Sequence, residues 1–432
     1  MNRQRPSPRV PTAAVRPRRW VTRPWFAVMV AVCAVAGAVS WWQVAARSDA
    51  TRAPAVQLAV GSADAGFAER ALRDEQIRVW HIALDADTGS AIVLGQLAAL
   101  HFQRAREGGG WDDYLTAEAF ARHSLDRRTN RNGAAAVTLV NALLAQHRFT
   151  EARDVATALV QRETDIPEYR ALLGEVALEL GDDAVADAMF RSVWEQRSQL
   201  SLAPRVARWL ELTNHVREAR QVLEGACRDI VRRRSTASET RAWFSLRLGD
   251  LELRAGNLRR AERAYREGLR AEPGDPRLFA ALARVAMARD EPRVAVAWGE
   301  RAISLQLDPA TLGLVGDAYA AVGDSVRSAQ YFQTLEVAVS AQPGAYHRAW
   351  SLYLLDHGLR VDTVLAKARA ELAERRDVYG YDLVAWALYR AGRFTEASVM
   401  MQHALRLGTP DPLLQTHARL IAAATHPHVA SR

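Results

Sequence analysis

The chain has 432 residues, of which 49% are hydrophobic and 25% are charged, so it has enough apolar side chains for an extensive core. Its formal net charge of +8 comes from residues 1–48, which hold eight of the 57 basic residues and none of the 49 acidic ones. The rest of the chain is therefore formally neutral and shows no basic stripe, which argues against a nucleic-acid-binding protein. With only Cys33 and Cys227, the sequence excludes a disulfide framework and a cysteine-ligated zinc site.

The N-terminal part of the chain combines a basic stretch with an apolar one. Residues 1–24 are rich in arginine and proline, which predicts a disordered segment, and residues 25–42 carry no charge. An apolar run of about 18 residues qualifies as a candidate transmembrane helix, and tryptophans at its ends are typical of the membrane interface. We therefore predict a membrane-spanning helix or uncleaved signal anchor at residues 25–46.

The arginines that precede the apolar run predict the orientation of the chain. Positive charges favour the cytoplasmic side, so the N-terminus is expected in the cytoplasm and the body outside it, as a single-pass protein of the bacterial inner membrane. One alternative is a cleaved signal peptide, for which Val44-Ala45-Ala46 offers a cleavage site. A lipoprotein is a second alternative, but Val32 is a poor residue to precede a modified Cys33.

After a linker at residues 47–62, helical patterns of apolar residues continue to the end of the chain. Residues 63–130 predict a leading helix and an atypical hairpin whose turn is widened by three glycines at 108–110. Eight regular helical hairpins are expected in two arrays at 131–234 and 242–411, followed by a capping helix at 412–425 and a tail at 426–432. A polar insertion at 235–241 separates the arrays and either lengthens a helix or forms a hinge.

Three sets of residues recur about every 34 positions, with one longer step at the insertion. Small residues where the second helix crosses the first are Ala152, Ala186, Ala219, Ala261, Ala295, Ser328, Thr363 and Ala397. Five residues before each lies a predicted turn, at His147, Gly181, Asn214, Gly256, Asp290, Gly323, Gly358 and Gly392. Small residues on the first helix are Gly174, Ala207, Gly249, Ala283, Gly316, Ser351 and Ala385, with the bulkier Val140 in the remaining hairpin. Three sets in one register identify a structural repeat.

The clearest repeat, at residues 242–276, resembles the tetratricopeptide repeat. Leu248-Gly249, Gly256, Ala261, Tyr265 and Pro273 occupy the positions where that family has large, small, turn, small, aromatic and terminating residues. The resemblance covers about residues 65–425. It implies an all-α, right-handed superhelical solenoid of about nine helical hairpins that acts as a scaffold or adaptor for another protein or an extended peptide.

The resemblance also implies a binding groove lined by the first helix of each hairpin. The groove-facing residues would be Asn141, Glu175, Arg208, Asp250, Arg284, Asp317, Leu352 and Trp386, joined by Tyr319, Tyr379 and Tyr389. Charges alternate along the middle of this column, whereas its C-terminal end is apolar and aromatic. We therefore predict the partner site in the C-terminal half of the groove, with packing of these aromatics beneath the capping helix as the alternative. Relatives that clamp acidic C-terminal peptides use lysine, asparagine and arginine in this column, a set that Asn141 alone does not reproduce.

The sequence contains no catalytic, phosphate-binding or metal-binding motif, so we expect no cofactor, no metal and no small-molecule substrate. The resulting prediction is a non-enzymatic scaffold that helps to assemble a complex in the cell envelope. One alternative is a soluble exported binding protein, which would form if the N-terminal segment were cleaved. Another is an enzyme with a site that the motifs do not reveal.

Overall fold

The computed structural model describes residues 62–108, 110–233, 236–341 and 348–425, and within these residues all regular structure is helical. The helices are α1 (Ser62–Ala86), α2 (Ala91–Arg106), α3 (Trp111–Arg127), α4 (Gly133–Ala145), α5 (Phe149–Arg162), α6 (Pro167–Leu180), α7 (Asp183–Ser192), α8 (Ala203–Leu212), α9 (Val216–Arg232), α10 (Ser238–Arg254), α11 (Leu258–Ala271), α12 (Pro276–Ala288), α13 (Pro292–Leu305), α14 (Pro309–Ala321), α15 (Ser325–Ser340), α16 (Arg348–Asp356), α17 (Val361–Glu371), α18 (Val378–Arg390), α19 (Phe394–Ala404) and α20 (Pro412–Thr425). A single 3₁₀ turn, Trp194–Gln196, follows α7.

Helices α2–α19 pair in sequence as nine antiparallel hairpins, with α1 before them and α20 after them. This arrangement confirms the all-α solenoid predicted from the repeats. The membrane helix predicted at residues 25–46 lies outside the described residues. Within the part of the chain that is described, no helix combines the length and the hydropathy needed to cross a bilayer.

Each hairpin reverses direction at a residue with a left-handed backbone. All eight predicted turn residues have positive φ, from 58° at His147 to 87° at Gly323. A left-handed residue ends an α-helix by turning the chain away from its axis, and glycine, asparagine and aspartate tolerate this conformation best. His147 also adopts the left-handed conformation, although histidine is not one of these three residue types.

Small residues on the first helix make room for an aromatic ring of the second. An added Cβ at Gly174 would lie 2.9 Å from the ring of Phe190, and one at Gly316 would lie 2.8 Å from that of Phe332. In the central hairpin, Tyr265 fits against Gly249 in the same way. These rings fill the space between the two helices of a hairpin, which explains the spacing of small and aromatic residues in the sequence.

The hairpin of α16 and α17 departs from the predicted register. Thr363 was expected to be the small crossing residue, but it is exposed, and Val364 is buried in its place. The reason is a longer turn: Arg360 adopts a left-handed backbone (φ 49°) in addition to Gly358. This extra residue delays the start of the second helix by one position and turns Thr363 away from the core.

The polar insertion lengthens the two helices beside it. Helices α9 and α10 contain 17 residues each, whereas α11 and α12 contain 14 and 13. Ile230 near the end of α9 and Phe244 in α10 belong to the same hydrophobic cluster. The core therefore continues across the insertion.

The array curves until its beginning contacts its middle. The guanidinium of Arg106, at the end of α2, lies 3.2 Å from Glu239 of α10, and Arg70 of α1 lies 3.0 Å from Glu272 beyond α11. Glu69 accepts hydrogen bonds from the backbone and the side chain of Ser238, at the N-terminus of α10. Ion pairs and hydrogen bonds thus connect residues that lie well over a hundred positions apart in the chain.

A second set of contacts joins the middle of the array to its end. The side chain of Arg376 donates a hydrogen bond to the carbonyl of Leu180 (3.2 Å), and Thr409 donates one to the carbonyl of Leu212 (2.7 Å). Arg406 forms an ion pair with Asp183 at 2.6 Å. Consequently the last hairpins pack against α6–α8, and the concave side of the array is partly enclosed.

Candidate functional site

The first helices of the five N-terminal hairpins line one cavity, called the concave cavity here. Its volume is about 550 Å³, and α2, α4, α6, α8 and α10 all contribute to its walls. The lining residues are Phe102, Arg106, Asn141, Leu144, Glu175, Leu178, Glu179, Pro204, Arg205, Arg208, Trp243 and Arg247. Its volume falls in the range of ligand sites, and its walls combine apolar side chains with seven polar or charged ones.

Three of the predicted groove residues, Asn141, Glu175 and Arg208, lie in the concave cavity. Arg205 connects two of them, since its guanidinium donates hydrogen bonds to Glu175 (2.7 Å) and to Asn141 (3.1 Å). Arg208 lies 3.4 Å from the buried Glu211. The structure therefore brings these three residues of the column into one cavity.

Tyr379 reaches the same region from the far end of the chain. The guanidinium of Arg208 lies 5.4 Å from the centre of the Tyr379 ring, within the range of a cation–π interaction. Tyr379 also packs on the hydrophobic cluster that contains Trp209 and Leu251. A residue predicted to bind a partner is thus an internal neighbour of Arg208 at one end of the concave cavity.

Asp250 and Arg284 lie in a second cavity of about 430 Å³, beside α12 and α14. Their side chains form an ion pair at 3.1 Å, and Asp250 also accepts a hydrogen bond of 2.8 Å from the hydroxyl of Tyr265. Burial and the Asp250 carboxylate both raise the pKa of Tyr265. The alternating charges of the column satisfy each other at this point.

The next three predicted residues line neither cavity. Asp317 is exposed, and Leu352 is half-buried against the core of the C-terminal hairpins. Tyr319 is buried, donates a hydrogen bond of 2.5 Å to Glu300 and stacks on Tyr331 with ring centres 5.5 Å apart. These side chains do not form a common site.

The expectation that Trp386 presents a free ring to the groove is wrong. The residue is only 5% exposed, and its indole N–H donates a hydrogen bond of 2.8 Å to Asp356. Its ring stacks between Tyr389 and His417 of the final helix, with centroid distances of 4.9 and 4.1 Å. The aromatic residues at the end of the column therefore hold α20 in place, which is the alternative that the sequence left open.

Comparison with known families agrees with the architecture. Two models of the tetratricopeptide repeat match the chain, one at residues 137–192 and the other at residues 242–285. The chain therefore contains tetratricopeptide repeats in both segments. The matched segments overlap α4–α7 and α10–α12, so both include parts of first helices that line the concave cavity. No curated protein sequence matches this chain.

Solved structures with similar folds include human IFIT1 in complex with m7Gppp-AAAA. Its identity to this repeat protein is 12%, with a TM-score of 0.50 over 74% of this chain and 72% of that one. PilW, a type IV pilus biogenesis factor, is 17% identical over 52% of this chain and 99% of its own, with a TM-score of 0.41. At this level of identity, the likeness to IFIT1 shows the fold alone.

Two charged residues of the repeats, Arg247 and Glu179, line the concave cavity although they were not predicted as site residues. Arg247 lies three residues before Asp250 of the column and therefore shares a helix face with it, one turn earlier. Glu179 lies four residues after Glu175, on the same face of α6. Applying helical periodicity to each column residue would have found both.

The charges around these two residues differ. Burial and the nearby Asp377 raise the pKa of Glu179 to about 7, although Arg375 lies 3.7 Å away. Burial, and the neighbouring guanidinium groups of Arg254 and Arg208, lower the pKa of Arg247. Both residues thus carry charge at a cost within a partly enclosed space.

The repeats and their matched family models identify a scaffold for protein–protein interaction. Interaction surfaces of this kind use the exposed faces of packed hairpins, because each hairpin contacts only its neighbours and leaves one face available. In this chain the concave cavity is an open part of that face, lined by five first helices.

Proposed function

We propose that this protein is a non-enzymatic scaffold that binds an extended segment of another protein in the concave cavity. The observation that carries the proposal is the shared lining of this cavity by the first helices of five consecutive hairpins. A segment lying along these helices would contact each hairpin in turn. At the last hairpin, by contrast, Trp386 stacks on Tyr389 and on His417 of α20.

The side chains of the concave cavity suit a protein segment. Phe102 and Trp243 supply aromatic surface, and Arg106, Arg208 and Arg247 supply guanidinium donors. Tryptophan and arginine are enriched among residues that dominate binding energy, and they act best when neighbouring contacts exclude water. The five first helices that line the cavity would favour that exclusion.

Cross-linking from inside the cavity tests this proposal. A photo-reactive amino acid at Leu144, which lines the cavity, should capture a partner protein in cells that express the full chain. The matched control is the same amino acid at Val326, which is 67% exposed on α15. Equal capture from both positions, or capture from Val326 alone, would contradict binding in the concave cavity.

We further propose that the scaffold serves the assembly of a complex at the outer face of the bacterial inner membrane. The support is the apolar run predicted to span the membrane at residues 25–46 and the arginines before it. An alkaline phosphatase fusion at Ser62 should be active, and an inactive fusion would rule out this topology. A mature protein that lacks residues 1–46 would instead identify a soluble exported binding protein.

A further inference from the structure

We infer that Arg247 binds a carboxylate group of the partner segment, so that the cavity selects segments with an acidic residue. This inference rests on the proposed function and adds the chemistry that the site recognises. It is carried by the position of Arg247 in the wall of the concave cavity and by the lack of an ion pair to its guanidinium among the described residues.

The other arginines near the cavity already have acidic partners. Arg205 pairs with Glu175 at 2.7 Å, and Arg106 pairs with Glu239 at 3.2 Å. Arg254 pairs with Glu211, a carboxylate that Arg208 also approaches. Among the residues that the structure describes, Arg247 has neither an ion pair nor a hydrogen bond.

The two carboxylates that attract Arg247 electrostatically are engaged with other groups. Asp250, one turn further along α10, binds Arg284 and the hydroxyl of Tyr265. Glu211 is 4% exposed and is held by Arg254. Since a guanidinium remains protonated in proteins, Arg247 carries a positive charge beside Arg254 and Arg208, which Asp250 and Glu211 offset only in part and without an ion pair. A bound carboxylate would complete that compensation through charge-assisted hydrogen bonds.

The surroundings of Arg247 favour a protein carboxylate over a polyphosphate. Leu178, Phe102 and Trp243 give the cavity apolar walls that suit the residues flanking an acidic side chain. Glu175 and Glu179 line the same cavity and would repel a ligand with several negative charges. Beyond residue 48 the chain is formally neutral, so no extended positive field attracts RNA.

Binding of defined peptides to the full chain tests the inference. The probes are a fluorescent decapeptide of alanine and serine with one central glutamate, the same peptide with glutamine in its place, and a 5′-triphosphorylated oligoadenylate. The acidic peptide should bind at least about tenfold more tightly than the glutamine peptide, as expected for a hydrogen bond to a charged group. Arg247→Gln should abolish this difference, whereas Arg259→Gln, an equal change of charge at an exposed site in the same hairpin, should preserve it.

Thermal unfolding provides the second readout on the same variants. Because Arg247 lies beside Arg254 and Arg208 without a partner, Arg247→Gln should unfold at the same or a higher temperature than the wild type. A lower melting temperature would mean that Arg247 is a structural residue and would overturn the inference. Equal binding of both peptides, no binding of either, or preferential binding of the RNA would also overturn it. Cross-linking from Leu144 tests partner binding in the cavity independently. The proposed scaffold function would therefore remain supported by capture from Leu144 even if the preference for an acidic peptide were absent.

Discussion

The five N-terminal hairpins (α2–α11) and the four C-terminal hairpins (α12–α19) share one repeat but differ in what fills their concave face. In the N-terminal hairpins, α2, α4, α6, α8 and α10 line an open cavity of about 550 Å³. In the last of the C-terminal hairpins, Trp386 stacks on Tyr389 and on His417 of α20. The repeat therefore determines the backbone, whereas contacts between distant helices determine which face is available to a partner.

The final helix accounts for much of the difference. His417 of α20 also lies 2.7 Å from the buried Asp382, which pairs with Arg348 at 2.5 Å. These contacts attach α20 to the same helix that carries Trp386. At the other end, Tyr379 leaves this core and approaches Arg208 in the N-terminal hairpins. Helix α18 therefore contributes Trp386 to the packing beneath α20 and Tyr379 to the surroundings of Arg208 at the concave cavity.

Truncation of Trp386 should have the largest effect on stability. Trp386→Ala removes a ring that is 5% exposed and its hydrogen bond to Asp356, and should lower the free energy of unfolding by about 3–5 kcal/mol. Binding of the partner should be unchanged where the variant remains folded. The matched change, Trp243→Ala in the concave cavity, should weaken binding more and stability less. Chemical denaturation and partner binding should be measured on both variants. A larger loss of stability for Trp243→Ala, or a larger loss of binding for Trp386→Ala, would contradict the comparison.

A pair of glycine substitutions tests the contact between the two regions. Gly181 and Gly256 both end a first helix with φ near 70° (71° and 75°), so alanine costs about 1–2 kcal/mol at each. At Gly181 an added Cβ would also overlap the carbonyl oxygen of Arg376, whereas at Gly256 it would meet open space. Gly181→Ala should therefore cost about 1–3 kcal/mol more than Gly256→Ala. Equal melting temperatures would show that the last hairpins do not pack on α6.

The pH dependence of stability should report on Glu179. Because its folded pKa of about 7 lies above the usual value of 4.5, the unfolded chain releases this proton first, and stability falls as the pH rises from about 4.5 to 7. Glu179→Gln removes that loss, so the variant should be more stable than the wild type at about pH 8, by on the order of 2 kcal/mol, and nearly equal at about pH 5. Glu175→Gln, which breaks the ion pair with Arg205, should show no gain at either pH. Thermal melts at both values would contradict this account if the two variants behaved alike.

The sequence predicts the hairpins well because their signals are local. The turn residues and the small crossing residues lie within one hairpin, and all eight predicted turns have positive φ. The predicted crossing residue is wrong at Thr363, where Arg360 adds a second left-handed residue to the turn. An arginine side chain gives no indication of that backbone conformation. Local patterns of this kind are reliable because each hairpin packs mainly on its neighbours.

The position of the site was less predictable, because it depends on residues far apart in the chain. The sequence placed Trp386 on the first helix correctly, but it does not show that His417 covers the ring. Likewise the pairing of Glu211 with Arg254 across 43 positions leaves Arg247 without a partner, and no motif records this. Such contacts follow from the curvature of the whole array, which the spacing of one repeat does not specify.

Hydrogen exchange of the full chain, with and without the partner captured by cross-linking, tests the central claim most directly. Binding in the concave cavity should slow exchange of backbone amides in α4, α6, α8 and α10, which line it. Amides of α16 and α18 beside Leu352 and Tyr389 should exchange at unchanged rates, because those side chains pack in the C-terminal core. Protection confined to α16 and α18 would contradict the account and would place the partner on the C-terminal hairpins instead.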